Sequence, residues 1–374
     1  MPPNHTRASR RLREQLEALD LISAEAIVKR STRVTVGIGR HTRQTVELDG
    51  EDGAFLKFAG TRSPGGLARE LRANVVLAEL KRSQPELTRH LPELIETHAS
   101  ETRLVWELVP HATSLRALVG RAQMFDPGLF RDLGSILRRV HSASRPLARV
   151  ASSAPSQPWL ISVKEVRAAA CVDWSMGQRQ VIETLHNMPA LADVVKALAC
   201  LNCDDDHKTF IHGDLKWDNV LVSSSGSVGP ARVVLVDWEF SGIGHPLWDV
   251  GTVLGEFLVV WGLSIPIIDP VRPDRYVHLA AISLQELQPA MRAFWDGYTG
   301  AEPARADLAA RWATDAARFA GARVVQAAYE RAQVVSQLTP HLNLLIQLGL
   351  NVIQSPAVAA EGLMGIPPAG ADRG

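Results

Sequence analysis

β-branched and alternating runs crowd the first third of the chain, and longer helical periods fill the remainder. Arg33 to Gly37 and Gln44 to Leu48 are strand-like runs about a turn, and Asp49-Gly50-Glu51-Asp52-Gly53 is a strong turn before Ala54-Phe55-Leu56-Lys57-Phe58. These predict a three-strand meander with Lys57 on its third strand, its stem packed and its ammonium in need of an anion. Gly65 to Leu80 has a helical period, with Leu67, Leu71, Val75 and Ala78 towards one side and Glu70 at the edge of that stripe. Leu104 to Val109 is an apolar strand stopped by Pro110, as a hinge would be. Leu129 to Ser142 is again helical in period, whereas Pro146, Pro155 and Pro158 make Ser144 to Pro158 an expected exposed crossing rather than a helix. A long helix is expected over Arg311 to Leu338, with Phe319, Val324, Val325, Ala328 and Val334 inward and Arg318, Arg323, Glu330 and Arg331 outward.

The densest chemistry lies between these regions, in Phe210-Ile211-His212-Gly213-Asp214-Leu215-Lys216-Trp217-Asp218-Asn219. Val220-Leu221-Val222, a Ser/Gly turn and Arg232 to Val236 then form a hairpin that runs into Asp237-Trp238-Glu239. In an antiparallel pair the residue before the first strand lies beside the residue after the second, so Asn219 and Asp237 should be neighbours. Asp214 enters on the same loop. Two carboxylates and an amide oxygen then converge, a set of hard oxygen donors suited to Mg²⁺, with Asn219 and Asp237 for the metal and Asp214 left to accept a hydroxyl proton. His212 is expected to hold the loop, and Asp218 to be a solvated loop residue.

His-Gly-Asp, four residues, Asn and then Asp after a hairpin resembles the kinase-like phosphotransferases related to aminoglycoside phosphotransferases and choline kinases, themselves similar to protein kinases. The likeness spans roughly residues 30 to 260. It implies an α+β, bilobal protein-kinase-like fold, with a small antiparallel-sheet N-lobe and a larger, mainly helical C-lobe. It also implies ATP and Mg as cofactors. In that frame Asp214 is the base, and Asn219 and Asp237 hold the metal. Lys57 fixes the nucleotide phosphates, oriented by Glu70 with Glu79 as fallback, while the main chain of Glu107 and Val109 meets the adenine edge beside Trp106. The loop Gly37 to Arg43 would cover the phosphates, with Arg40, Thr42 or Arg43 as side-chain donors. Asp249 resembles the buried Asp that braces the catalytic loop from a helix start. Lys216 departs from many aminoglycoside-type enzymes; it is similar to the catalytic-loop Lys of protein kinases, which neutralises charge on the transferring phosphate.

Length and composition bound the rest. A chain of 374 residues has room for two lobes, expected as an N-terminal extension over residues 1–30, a nucleotide-binding lobe over 31–110 and a catalytic and acceptor lobe over 111–374. Formal net charge is +0, and no basic block suggests nucleic acid or membrane as a partner. Arg7, Arg10, Arg11 and Arg13 are followed by acids rather than an apolar run, so no secretory signal is expected. Val250 to Ile268 is apolar but contains Glu256 and ends near Pro266, which suits a buried helix better than a membrane span. Cys171, Cys200 and Cys203 are expected to be reduced thiols in a cytoplasm, and Cys200-Leu201-Asn202-Cys203 lacks the second ligand pair a zinc site needs.

The acceptor is then either a small aminoglycoside-like or amino-alcohol metabolite, or Ser/Thr of a peptide in lanthipeptide-type maturation with a biosynthetic partner protein. Enzymes for polycationic acceptors need carboxylates, and the Arg content of Arg311 to Leu338 suits an acidic or peptide acceptor better. The alternative is a nucleotide-binding pseudokinase serving as a partner-binding subunit.

Overall fold

The computed structural model describes residues 32–38, 42–48, 52–59, 66–97, 103–122, 125–148, 156–166, 174–203, 207–223, 232–268, 273–300 and 306–367. The N-terminal extension, Arg40 and Cys171 lie outside them. The meander is formed by β1 (Thr32–Ile38), β2 (Thr42–Leu48) and β3 (Asp52–Phe58), joined by β4 (Leu94–Thr97) and β5 (Arg103–Glu107). All pair antiparallel in the order β1-β2-β3-β5-β4, so β3 is interior and Lys57 lies opposite Leu104.

Helix α1 (Gly66–Ser83) packs beside this sheet, and its buried stripe is Leu67, Glu70, Ala73, Leu77 and Leu80. The stripe is rotated from the sequence expectation: Val75 is 70% exposed and Ala78 is exposed as well. The rotation centres Glu70 on the inward face, where Lys57 supplies a partner for its carboxylate.

After β6 (Ala112–Ser114), helices α2 (Leu115–Ala122), α3 (Pro127–Ala148), α4 (Met176–His186) and α5 (Leu191–Asn202) lead to β7 (Thr209–Ile211). The hairpin is β8 (Val220–Ser223) with β9 (Arg232–Leu235); β6 completes its sheet, and β10 (Gly242–Gly244) pairs with β7. Helices α6 (Leu247–Ser264), α7 (Leu284–Thr299), α8 (Ala306–Arg331), α9 (Pro340–Gln354) and α10 (Pro356–Gly362) make the C-terminal bulk. The α+β class with a small antiparallel sheet and a mainly helical remainder is as expected.

Helix α3 corrects one expectation, since it continues past Ser144 to Ala148 with Pro146 inside it. Ser144 is fully buried; its hydroxyl binds the Thr209 hydroxyl at 2.8 Å and the Phe210 carbonyl at 3.2 Å. Those contacts anchor the turn that proline weakens, and the exposed Ser142 can offer water the carbonyl that proline leaves without a donor. Helix α8 corrects another. It ends at Arg331, followed by a short 3₁₀ turn, with Val334 88% exposed and Arg323 only 1% exposed.

Arg323 is buried because its partners are. Its Nε and Nη2 reach Glu256 Oε1 on α6 at 2.8 Å, and its other contacts clasp Glu330 at 2.8 and 3.0 Å. Arg116 on α2 also pairs with Glu256 and stacks 5.5 Å over Trp217. Helix α6 is long and apolar enough to cross a membrane by length and composition alone, yet 83% of that window is buried within the fold. Gly251 and Gly255 let it approach α8 closely, since added Cβ atoms would lie 2.5 Å from Phe319 Cβ and 2.8 Å from Ala320 O.

Candidate active site

The hairpin register Val220↔Leu235 continues in a bond from Val236 N to Asn219 O of 3.0 Å, which sets Asn219 one residue from the partner position of Asp237. Asp237 has φ 68 and ψ 59, left-handed backbone unusual for a non-glycine and typical of positions held by their surroundings for function. That turn directs its carboxylate away from the strand. Oδ1 meets Lys57 Nζ at 2.5 Å, and Oδ2 meets Arg43 Nη2 at 3.0 Å.

Lys57 is buried at the centre of a carboxylate cage. Besides Asp237, its ammonium lies 2.7 Å from Glu70 and 2.7 Å from Glu239. Burial works against the ammonium, but Glu70, Asp237 and Glu239 outweigh it and raise Lys57 above its usual range. Burial likewise opposes ionisation of Asp237, yet Lys57 and then Arg43 hold it down at about 2. Glu70 is pushed up to about 7, chiefly by burial, because it shares one cation with two other acids. Glu239 had no assigned role in the sequence reading; the 3₁₀ turn Trp238–Phe240 bends it back onto Lys57. Glu79 instead pairs with Arg82 on the exposed side of α1.

The loop that carries Asp214 is clamped by the start of α6. Asp249 is fully buried in the first turn of α6 and accepts the backbone N–H of His212 at 2.7 Å and of Gly213 at 2.9 Å. Trp248 Nε1 donates to the Gly213 carbonyl at 2.9 Å. Gly213 has φ +81, and an added Cβ would sit 2.3 Å from Phe240 O. His212 Nε2 donates to Val236 O at 2.9 Å, while Nδ1 accepts from Asp214 N at 3.3 Å, so His212 ties the loop to the strand that delivers Asp237. We expect Asp249→Ala to cost about 1.5–3 kcal/mol per charge-assisted bond lost. The check is the urea midpoint together with turnover, both of which should fall.

Asp214 is 7% exposed; its Oδ2 accepts from Lys216 Nζ at 2.8 Å. The Asn219 amide nitrogen donates to the Asp214 carbonyl at 2.8 Å and to its carboxylate at 3.3 Å, which leaves Asn219 Oδ1 as the atom free for a cation. Burial raises the Asp214 carboxyl, Lys216 opposes that, and Glu330 on α8 adds to it. Asp218 is exposed and pairs with Arg116 at 3.3 Å.

Between the two sheets a cavity of about 480 Å³ is lined by Phe55, Trp106, Glu107, Val109, Leu221 and Asp237. Glu107 and Val109, the two residues expected at the adenine edge, both line it. Of the loop expected to cover the phosphates, Arg43 lines the cavity and reaches Asp237; Gly39 to His41 lie outside the described residues. A hard cation fits the donor chemistry, since Asp237 and the uncommitted Asn219 Oδ1 belong to residues that line one cavity, with Lys57 and Arg43 as the cations on the Asp237 carboxylate here.

The architecture and loop define a kinase-type phosphotransferase. The model of the phosphotransferase enzyme family matches residues 34–275, and the chain belongs to that family. The expectation of a phosphotransferase is borne out by that family. Among solved structures, an ethanolamine kinase from Plasmodium vivax is similar over 91% of this chain and 86% of its own, with a TM-score of 0.53 and 13% identity. A choline kinase from Cryptosporidium parvum is similar over 95% and 98%, with a TM-score of 0.52 and 10% identity. Acyl-CoA dehydrogenase family member 11 from Gallus gallus is 40% identical over 79 residues, which is 20% of this chain and 10% of that protein.

Proposed function

We propose that the protein transfers the γ-phosphate of ATP, as its Mg²⁺ complex, to the hydroxyl of a small molecule. The observation that carries this reading is that Asp237, ion-paired to the buried Lys57, lines one cavity with Asn219, which in turn binds the buried Asp214 carboxylate. Adenine would lie between Trp106 and Leu221, with its edge at the Glu107–Val109 main chain. Nucleotide phosphates would compete with the three carboxylates for Lys57, and Arg43 offers a second cation at the same place. Mg²⁺ held by Asp237 and Asn219 would neutralise phosphate charge.

Asp214 orients the acceptor O–H and takes its proton as the oxygen forms its bond to the γ-phosphorus; the bond from that phosphorus to the bridging oxygen breaks, and ADP keeps the electron pair. Lys216, paired with Asp214, is placed to meet charge on the transferring group. Because burial raises Asp214, the ascending limb of kcat/KM should lie above the ordinary carboxylate range. Activity should then be lost as pH falls through that raised pKa, which a pH–rate profile measures.

The named activities of the similar kinases support a small acceptor such as an amino-alcohol. Lys216 favours a second reading, a Ser or Thr hydroxyl of a peptide under modification, in which a biosynthetic partner protein presents the substrate. Arg323 no longer argues for an acidic acceptor, since Glu256 and Glu330 neutralise it. A cytoplasmic location, with ATP at hand and the exposed Cys200 and Cys203 as thiols, completes the proposal. The test is a defined panel of amino-alcohols, aminoglycosides and Ser/Thr peptides with γ-labelled Mg·ATP. Label on an amino-alcohol or aminoglycoside supports the small-molecule reading. Label on peptides alone replaces it with the second, and nucleotide binding without transfer to any of them favours the pseudokinase.

A further inference from the structure

A larger cavity, of about 800 Å³, opens away from the nucleotide cleft, where α3, α7 and the start of α8 meet near β7. Arg138, Arg139 and Arg145 of α3 stand at its wall, His141 and Tyr298 at its floor, and Trp312 of α8 at its side. Among the described residues no carboxylate lines it, and none of these three arginines has an ion-pair or hydrogen-bond partner. Arg138 and Arg145 are seven residues apart, two turns along one helix face, with His141 between them. By contrast, the buried or half-buried Arg116, Arg318 and Arg323 are each held by an acid. A wall of exposed guanidiniums without counter-charges is suited to an anion with several acceptor oxygens.

The floor connects this cavity to the catalytic loop. His141 Nε2 lies 3.1 Å from Asp249 Oδ2, and His141 Nδ1 lies 3.1 Å from the Tyr298 hydroxyl. Asp249 is the carboxylate that holds the backbone N–H groups of His212 and Gly213, directly before Asp214. Since the carboxylate only accepts, Nε2 donates to Asp249, and Nδ1 shares a hydrogen bond with the Tyr298 hydroxyl. Burial raises the Tyr298 phenol above its usual range, which keeps its hydroxyl protonated. One imidazole therefore separates the cavity from the bonds that set the height of Asp214.

We propose that this cavity is a second anion site, which takes a phosphate-bearing small molecule on Arg138, Arg139 and Arg145 and acts on the catalytic loop through His141 and Asp249. The ligand class includes the phosphorylated products of such an enzyme and nucleoside monophosphates. Nothing in the site requires turnover, so it stands or falls separately from the reaction proposed above.

The test uses the full chain with the nucleotide cleft filled by Mg²⁺ and a non-hydrolysable ATP analogue. Inorganic phosphate, O-phosphoethanolamine and AMP are then titrated calorimetrically against wild type and an Arg138→Gln/Arg145→Gln double variant. Expected is one further site per chain in wild type, weakened at least about tenfold in the double variant, with unchanged analogue affinity showing that the variant is folded. Tighter binding of O-phosphoethanolamine than of AMP points to product as the source, and the reverse points to nucleotide. Hydrogen exchange at His212 to Asp214 should slow on binding in wild type only. Absence of binding beyond the cleft, or equal affinity in both proteins, would overturn the site; binding without a change in exchange would overturn its link to the loop.

Discussion

Asp214→Asn should lower kcat for phosphoryl transfer by about 10²–10⁴-fold, the range a positioned general base contributes, and leave Mg·ATP affinity unchanged. The asymmetry follows from the geometry. The Asp214 carboxylate is bound to Lys216 and Asn219, whereas the nucleotide side proposed above is built from Lys57, Asp237 and the cavity wall at Glu107 and Val109. An amide at position 214 preserves size and still accepts from Lys216, but it cannot take the acceptor proton. A steady-state comparison measures this, with kcat reduced and nucleotide affinity held. A variant that retained full kcat would remove Asp214 from the chemistry and require another group in the site to take the acceptor proton.

The largest expected loss of stability lies outside the reacting centre. Glu256→Ala should destabilise the fold by about 3–5 kcal/mol, the usual consequence of removing one partner from a buried charge pair. Glu256 is fully buried on α6 between Arg116 and Arg323, and the variant leaves the buried Arg323 with Glu330 alone. A lowered urea midpoint at unchanged slope is the expected result, and an unchanged midpoint would show the network to be dispensable. Glu330 adds an acid sensitivity. Burial opposes its ionisation, but Arg323 outweighs burial and holds it at about 2. Its contribution is therefore present above its ordinary value of 4.5 and is lost as pH falls towards about 2. Glu330 also lies within electrostatic reach of Asp214 and Lys216, so damage to this network should reach turnover as well as stability.

What could be read from the sequence, and what could not, divides by the range of the interactions. Asp214 and Asn219 share one loop, and Asp237 is brought to them by a single hairpin, so offset and strand pairing were enough to bring them together. Lys57 and Glu70 are 13 residues apart across one strand and one helix, still close enough for a pattern to indicate. Arg323 and Glu256 are 67 residues apart on two helices. Helical periodicity alone assigns an arginine to the solvent face, because the partner that permits its burial has no local signature. The same holds for Glu239, whose neighbour Asp237 was legible from hairpin pairing, whereas its own contact depends on a turn in left-handed backbone. Pro146 misled for the opposite reason: its local penalty is real, but Ser144, Thr209 and Phe210 supply tertiary bonds that hold the turn.

The most direct test of the central claim is transfer of label from γ-labelled Mg·ATP into a size-fractionated cell extract, by wild type and by Asp214→Asn in parallel. The account predicts label in a small-molecule fraction with wild type and its loss in the variant. Equal labelling by both proteins, or no labelling by a wild-type protein that binds Mg·ATP, would contradict it.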